Sequence, residues 1–331
     1  MTGLGAILSL CTALAGPFSA KSMQGEQAVR QTDRQLVMPK GWLQLSLAVD
    51  QKNSTSYRDA NGVLTDRSGG TIWTYRRAWL RIEQGFSPRL TLYAHIPLVQ
   101  STLQNDSDVE LTTRALGDVH TGLRYQPWSG TRHKLAFGVD LKAPSGVEWP
   151  SDLIGGASNT SSFLTGTGVT NVGTEVHGRV MVSRFAMVDA HLGYVHKFPA
   201  VVGYILETDG FGNGWINPGN ELYARGSLLC QLSDRLSIHG DLHYSRRAAH
   251  RIGVSGQSTN SVELETLRGS ESDYTDAGGG LRFSASEHLE ITIGVLAQVR
   301  GTDTRTFAHL GLEELSPQPG IESAIEVMLR W

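Results

Sequence analysis

Beyond Gly41 the chain alternates apolar and polar residues with a period of two. In the first such segment Leu43, Leu45, Leu47 and Val49 share one face, with Gln44, Ser46 and Asp50 on the other. A β-strand sends successive side chains to opposite faces, so this pattern predicts a strand with one apolar and one polar side. The second segment sets Ala78, Leu80 and Ile82 against Arg77, Trp79, Arg81 and Glu83, and the third sets Leu90, Leu92, Ala94, Ile96 and Leu98 against Arg89, Thr91, Tyr93 and His95. The fourth opposes Val119, Leu123 and Tyr125 to Asp118, His120 and Arg124. The fifth opposes Leu135, Phe137, Val139 and Leu141 to Lys134, Asp140 and Lys142.

The alternation continues through the second half. The sixth segment sets Val172, Val176, Val180 and Val182 against Glu175, His177 and Arg179, and the seventh sets Val188, Ala190, Leu192 and Tyr194 against Asp189, His191 and Lys197. The eighth carries Leu222, Ala224, Leu228, Cys230 and Leu232 opposite Glu221, Tyr223, Arg225 and Gln231. The ninth carries Leu236, Ile238, Leu242 and Tyr244 opposite His239, Asp241 and His243. Leu281 and Phe283 flank Arg282 in the tenth. Leu289, Ile291, Ile293, Val295 and Val299 oppose Glu290, Gln298 and Arg300 in the eleventh. The twelfth is Ile325-Glu326-Val327-Met328-Leu329-Arg330-Trp331.

Connections between segments alternate in length. Short ones fall near Gly85–Pro88, Pro127–Arg132, Ser183–Phe185, Ser233–Arg235 and Ser286–His288, and long polar ones near 53–70, 101–115, 144–166, 199–218, 248–272 and 301–319. Short turns at one end and long loops at the other are the signature of a closed antiparallel transmembrane β-barrel. About twelve strands, an even count, put both termini on the short-turn, periplasmic side. A soluble two-sheet sandwich would not need one face of every segment to be almost free of charge. Arg76 is the main exception, near the outer end of its strand.

Composition agrees. Net charge is −3 over 331 residues, which points to no nucleic-acid partner. The 38 glycines suit a turn-rich β protein. No apolar run past the N-terminus approaches the roughly 18 residues a membrane helix needs, which leaves a barrel open because its strands show lipid only alternate residues. Residues 4–15 are short and apolar with small residues at Ala13 and Ala15, so 1–20 reads as a signal peptide cleaved after Ala15. Residues 21–40 are expected to be a periplasmic lead-in and 41–331 the barrel. Cys11 lies in the leader, so Cys230 has no internal disulfide partner.

The last strand resembles the C-terminal strand of bacterial outer-membrane barrels. In these a terminal aromatic, here Trp331, forms part of the signal read by the assembly machinery. Other stretches resemble one family in particular. Gln84-Gly-Phe-Ser-Pro-Arg-Leu-Thr-Leu followed by Ile96-Pro-Leu-Val is similar to its "Y-G-L-x-D-x-L-E-L … P-Y-V" stretch. Leu116-Gly-Asp-Val-His-Thr-Gly-Leu-Arg-Tyr is similar to "G-L-G-D-x-x-L-G-x-K/R-Y", Leu141-Lys-Ala-Pro-Ser-Gly to "L-K-x-P-T-G", and Gly166-Thr-Gly-Val-Thr-Asn-Val-Gly to "G-T-G-S-x-D-x-x". This family comprises outer-membrane barrels described as transporters of the phenol meta-degradation pathway. The resemblance covers most of 75–300; departures are the missing Tyr before Gly85 and Ser145 in place of Thr. It implies an outer-membrane channel or transporter for small solutes, aromatic compounds among them.

The polar rows supply the candidate lumen residues: Tyr75, Arg77, Trp79, Arg81, Glu83, Arg89, Tyr93, His95, Arg124, Asp140, Glu175, His177, Arg179, Asp189, His191, Arg225, His239, Asp241, His243 and Arg282. If the Gly85 turn sets Ile82 opposite Leu90, then Glu83 faces Arg89, Trp79 faces Tyr93 and Arg77 faces His95. A symmetric turn at Arg184 sets Arg179 opposite Asp189 and His177 opposite His191. Such pairs can brace a narrow barrel, or line a polar path, or do both. Trp79, Tyr75 and Tyr93 could contact an aromatic solute or simply fill space. His239-x-Asp241-x-His243 spaces its side chains roughly 6.5–7 Å apart along a strand, too wide for shared metal ligation without a neighbouring strand. Asp209-Gly-Phe-Gly-Asn-Gly-Trp lacks calcium-loop spacing. No G-x-S-x-G elbow occurs, and the apolar rows hold no Ser–His pair. A passive channel without cofactor or metal is therefore expected, in contact with outer-membrane lipid. A plugged structural or partner-binding barrel is the alternative, and a hydrolase a more remote one.

Overall fold

A computed structural model describes residues 35–58, 64–66, 72–104, 110–145, 169–206, 210–217, 219–249, 251–254, 265–266, 271–303 and 320–331. The expected signal peptide and most of the loops at 144–166 and 301–319 lie outside them. Twelve strands form the wall. They are β1 (Leu43–Ser54), β2 (Ile72–Ser87), β3 (Leu90–Gln104), β4 (Val119–Ser129), β5 (His133–Ala143), β6 (Asn171–Ser183), β7 (Ala186–Lys197), β8 (Glu221–Gln231), β9 (Leu236–Arg247), β10 (Ser272–Ser284), β11 (Leu289–Asp303) and β12 (Ile321–Arg330). Each corresponds to one alternating segment.

Each strand pairs antiparallel with the next, and β12 returns to β1, so the sheet closes on itself. At the closure Leu43 and Trp331 exchange both backbone hydrogen bonds, at 2.9 and 3.0 Å. Closure pairs both sides of each of the twelve wall strands, sparing them the free edge that a lipid interior would make costly. Four of the five short turns use one device. Ser87, Ser183, Ser233 and Ser286 each accept, through Oγ, the N–H of the residue two positions on. This local bond competes with the ladder and helps end the strand.

Polarity is inverted relative to a water-soluble domain. Leu92, Val139, Val176, Leu242 and Ile293 are 38–55% exposed, whereas Lys142, Glu290 and Lys134 are at most 6% exposed. The exposed apolar side chains share one parity along each strand, and the charged side chains that pair across strands share the other. The first set therefore faces outward, as a transmembrane barrel requires. Exposed Phe86, Trp128, Phe185 and Phe283 form an aromatic girdle near the turn end. Arg76 is outward, as its parity demands, and donates to Gln51 Oε1 at 2.9 Å near the loop end of its strand.

Several expectations need correction. The β2–β3 turn is the pair Pro88–Arg89, with a register shift at Phe86. Ile82 therefore opposes Ala94, Glu83 opposes Tyr93, Arg81 opposes His95 and Trp79 opposes Pro97, four residues from the expected register. Arg89 lies exposed in the turn, off the inner wall. A shift between Thr275 and Asp276 leaves Val299 unpaired, so Arg300 moves to the face of Thr275, which is outward. The long connections also carry strand. Glu110–Leu116 extends the wall beside β3, and Ser56–Arg58 pairs with Leu64–Asp66. Ala200–Leu206, Gly210–Asn217, Arg251–Val254 and Glu265–Thr266 form a four-stranded sheet beyond the loop end of β7–β10.

Candidate functional site: the lumen

Inward side chains are tied together in cross-strand pairs. Arg179 grips Asp189 with two hydrogen bonds, Nε–Oδ1 at 2.6 Å and Nη2–Oδ2 at 2.8 Å, and the rings of His177 and His191 stack at 3.6 Å; both pairings match the expected register. Arg77 pairs with Asp50 at 2.9 Å and with Glu322 at 3.8 Å, in place of His95. Glu83 takes Arg81 at 2.5 Å and the Gln44 amide at 3.0 Å, in place of Arg89. Arg282 and Arg330 share Glu290, at 3.4 and 3.6 Å. His120 faces Asp140 at 3.7 Å. Tyr75 sits opposite Lys52 near the loop end.

A second device joins strands that are not neighbours. Four inward glycines each lie opposite a large side chain: Gly122 opposite Tyr93, Gly138 opposite Glu175, Gly173 opposite Asp140 and Gly193 opposite Tyr223. In each case a Cβ on the glycine would overlap the large side chain. At Gly138 and Gly193 this lets the partner lie flat and reach the strand beyond. Glu175 crosses β5 to accept from Arg124 at 3.2 Å, and Tyr223 crosses β7 to donate to Glu175 at 3.3 Å. Arg81 and Arg124 both stand over the Tyr93 ring, at 5.5 and 5.8 Å. Trp79 meets His95 edge-on at 5.1 Å. The expected aromatic set is therefore built into the wall: Tyr93 holds two arginines.

Between these braces a chamber of about 650 Å³ remains, bounded by Lys52, Arg77 and Glu322 on one side and by His191, Arg225, Ser227, Asp241, His243, Tyr274 and Asp276 on the other. Its second wall is organised by register. His177 opposes His191, His191 opposes Arg225, Arg225 opposes His243 and His243 opposes Asp276. Within the His239–Asp241–His243 row, Asp241 accepts from Ser227 at 2.6 Å and faces His239 at 3.2 Å, while His243 faces Asp276 at 3.6 Å. Among the described residues no group of three or more His, Cys, Asp or Glu side chains is placed to hold a metal ion.

Two features were not among the candidates. One is a collar at the loop end. Lys142 bonds Asp118 at 2.7 Å, and Lys197 and Arg247 share Glu221 at 3.2 and 3.3 Å. The motif stretches converge here. Pro97, which has no N–H, sits where the neighbouring strand breaks at Gly117–Asp118, and its carbonyl accepts from Gly117 at 2.8 Å. Ser145 Oγ accepts from Val119 N–H and donates to the Gly117 carbonyl, both at 2.9 Å. Lys142 and Asn171 are register partners. The short motifs signalled this knot, because each places Pro, Gly or Ser at the end of an alternating run.

The other feature lies at the end of the expected lead-in at 21–40, of which residues 35–40 are described. Residues 35–41 run along the inner wall at the turn end. Leu36 N–H donates to Gln126 Oε1 at 2.8 Å and Met38 N–H to Thr91 Oγ1 at 2.7 Å, and Arg124 reaches the Leu36 carbonyl at 3.4 Å. Gln35 accepts from Gln126 at 2.7 Å and from Ser129 at 2.6 Å. Gly41 N–H donates to the Gly85 carbonyl at 2.8 Å. Gly85 must lack a side chain here, since a Cβ would overlap the Pro39 carbonyl. Leu36, Val37 and Met38 are buried. The segment is held through its backbone and Gln35, so it needs no alternating pattern.

No protein-family model matches the chain, and no curated protein does. Solved structures are similar. An outer-membrane channel from Pseudomonas putida F1 aligns with a TM-score of 0.64 at 12% identity, over 89% of this chain and 97% of that one. The monoaromatic hydrocarbon channel TodX aligns at 0.46 and 12% identity, over 88% of this chain and 90% of its own. The translocator domain of the autotransporter NalP from Neisseria meningitidis aligns at 0.43 and 12% identity, over 89% and 90%. The first of these similarities extends the shared fold over nearly the whole of both chains.

Proposed function

We propose that this chain is a passive channel of the bacterial outer membrane that admits small polar solutes. The observation that carries the reading is the 650 Å³ chamber, lined by charged side chains of both signs inside a wall whose outward side chains are apolar. A wall of this kind isolates the polar interior from lipid. Twelve strands make a narrower path than the open channels of 16–18-stranded porins. The outer-membrane channel that shares this fold supports the assignment.

The finer reading, that aromatic compounds pass, rests on the resemblance to the phenol-pathway barrels. The lumen supports it for rings that carry a polar group. A bare hydrocarbon would displace water from the chamber's polar groups and offer them no hydrogen bond in return. Residues 35–41 favour a second reading, in which the turn end is closed and the barrel serves as a scaffold or opens only when the segment leaves. Planar-bilayer recordings on the refolded full chain separate the two: steady current supports the channel, silence the scaffold. The proposal is non-enzymatic. Hydrolysis of phospholipid or peptide by the refolded protein would replace it.

A further inference from the structure

The inward arginines at 77, 81, 124, 179, 247, 282 and 330 each hold a carboxylate. Arg225 does not. Among the described residues no ion pair or hydrogen bond reaches its guanidinium, which stands over the Tyr223 ring at 5.1 Å and is exposed to the chamber. The acids nearby are engaged elsewhere. Asp241 is held by Ser227 and His239, Asp276 faces His243, and Glu175 takes Arg124 and Tyr223. Register sets His191 and His243 directly beside Arg225, one on each neighbouring strand. Side chains opposed in this way have Cβ atoms roughly 4.5–5.5 Å apart, so His191 and His243 flank the arginine.

We infer that Arg225 is the anion-binding point of the chamber and takes the carboxylate of a small organic monocarboxylic acid. The guanidinium fork matches two carboxylate oxygens at once, through two parallel charge-assisted hydrogen bonds. The Tyr223 ring stabilises the cation without neutralising it. A chamber of about 650 Å³ has room for a single-ring acid with water around it. The inference rests on the channel reading for how the acid arrives, and names the class of solute that dwells there.

Benzoate and its uncharged analogue benzamide test it by calorimetric titration of the full chain folded in detergent. Benzoate is expected to bind about tenfold or more tighter than benzamide, because only the anion gains the charge-assisted pair. Arg225→Gln is expected to erase that difference, and Arg225→Lys to keep part of it, retaining charge but losing the fork. Equal binding of benzoate and benzamide by the wild-type chain would overturn the inference without any variant. So would unchanged benzoate affinity in folded Arg225→Gln. Bilayer recordings keep the two readings apart. Benzoate binding through Arg225 in a protein that passes no current leaves the site standing and removes the channel. Current without benzoate binding does the reverse.

Discussion

Removing Thr91 and Gln126, two of the side chains that seat residues 35–41, should open the turn end. The structure sets the scale. Six hydrogen bonds hold the segment, formed through Gln126 (two), Thr91, Ser129, Arg124 and Gly85. At about 1 kcal/mol each they contribute about 6 kcal/mol. Burial of Leu36, Val37 and Met38 adds about 2 kcal/mol per side chain, about 6 in all. Ordering seven residues costs about 1.5 kcal/mol apiece, about 10.5 in total. The seated state is then favoured by about 1.5 kcal/mol, which leaves the segment unseated on the order of 7% of the time. Thr91→Val with Gln126→Leu removes three of the six bonds, about 3 kcal/mol, and reverses the balance. In single-channel recordings the double variant should spend most of its time in a higher-conductance state that wild type visits briefly. Heat-modifiable migration in gels would confirm that the barrel is intact. A folded double variant with wild-type conductance and wild-type gating noise would refute the reasoning.

Three further outcomes follow from the same geometry. Gly193→Leu would drive a side chain into the Tyr223 ring, and should lower the unfolding midpoint in refolding titrations by the equivalent of about 1–3 kcal/mol. Leu242→Arg places a cation on the lipid face and should cost about 2–4 kcal/mol if it lies near the bilayer midplane, read from the same titrations in vesicles. Arg77→Gln leaves Asp50 and Glu322 without their shared cation, so the reversal potential under a salt gradient should move toward cation preference; an unmoved potential in a folded variant means this wall does not line the conducting path.

The wall was legible in the sequence because lipid and lumen make opposite demands on its two faces. A slip of one residue would turn Leu92, Val139 and Ile293 inward together, so the period of two had to be strict and could be read strand by strand. Register was legible only where the turn was placed correctly. Both hairpins have a two-residue turn and a one-residue bulge, at Val182 and at Phe86. Centring the first on Arg184 gave Arg179–Asp189 and His177–His191, whereas the second turn lies at Pro88–Arg89 rather than at Gly85, so its partners moved by four residues. A bulge also hid the facing of Arg300. The four glycine seats escaped notice because each depends on which residue of the next strand lies opposite, and this is a property of register rather than of local pattern. Residues 35–41 carried no periodic signal, since their backbone forms most of the bonds that seat them.

Single-channel recording of the refolded full chain in a planar bilayer tests the account most directly. The narrow, mixed-charge lumen predicts discrete steps of low conductance with weak ion preference. Its contradiction would be silence at every voltage, in wild type and in the Thr91→Val, Gln126→Leu variant alike, from protein shown to be folded and inserted.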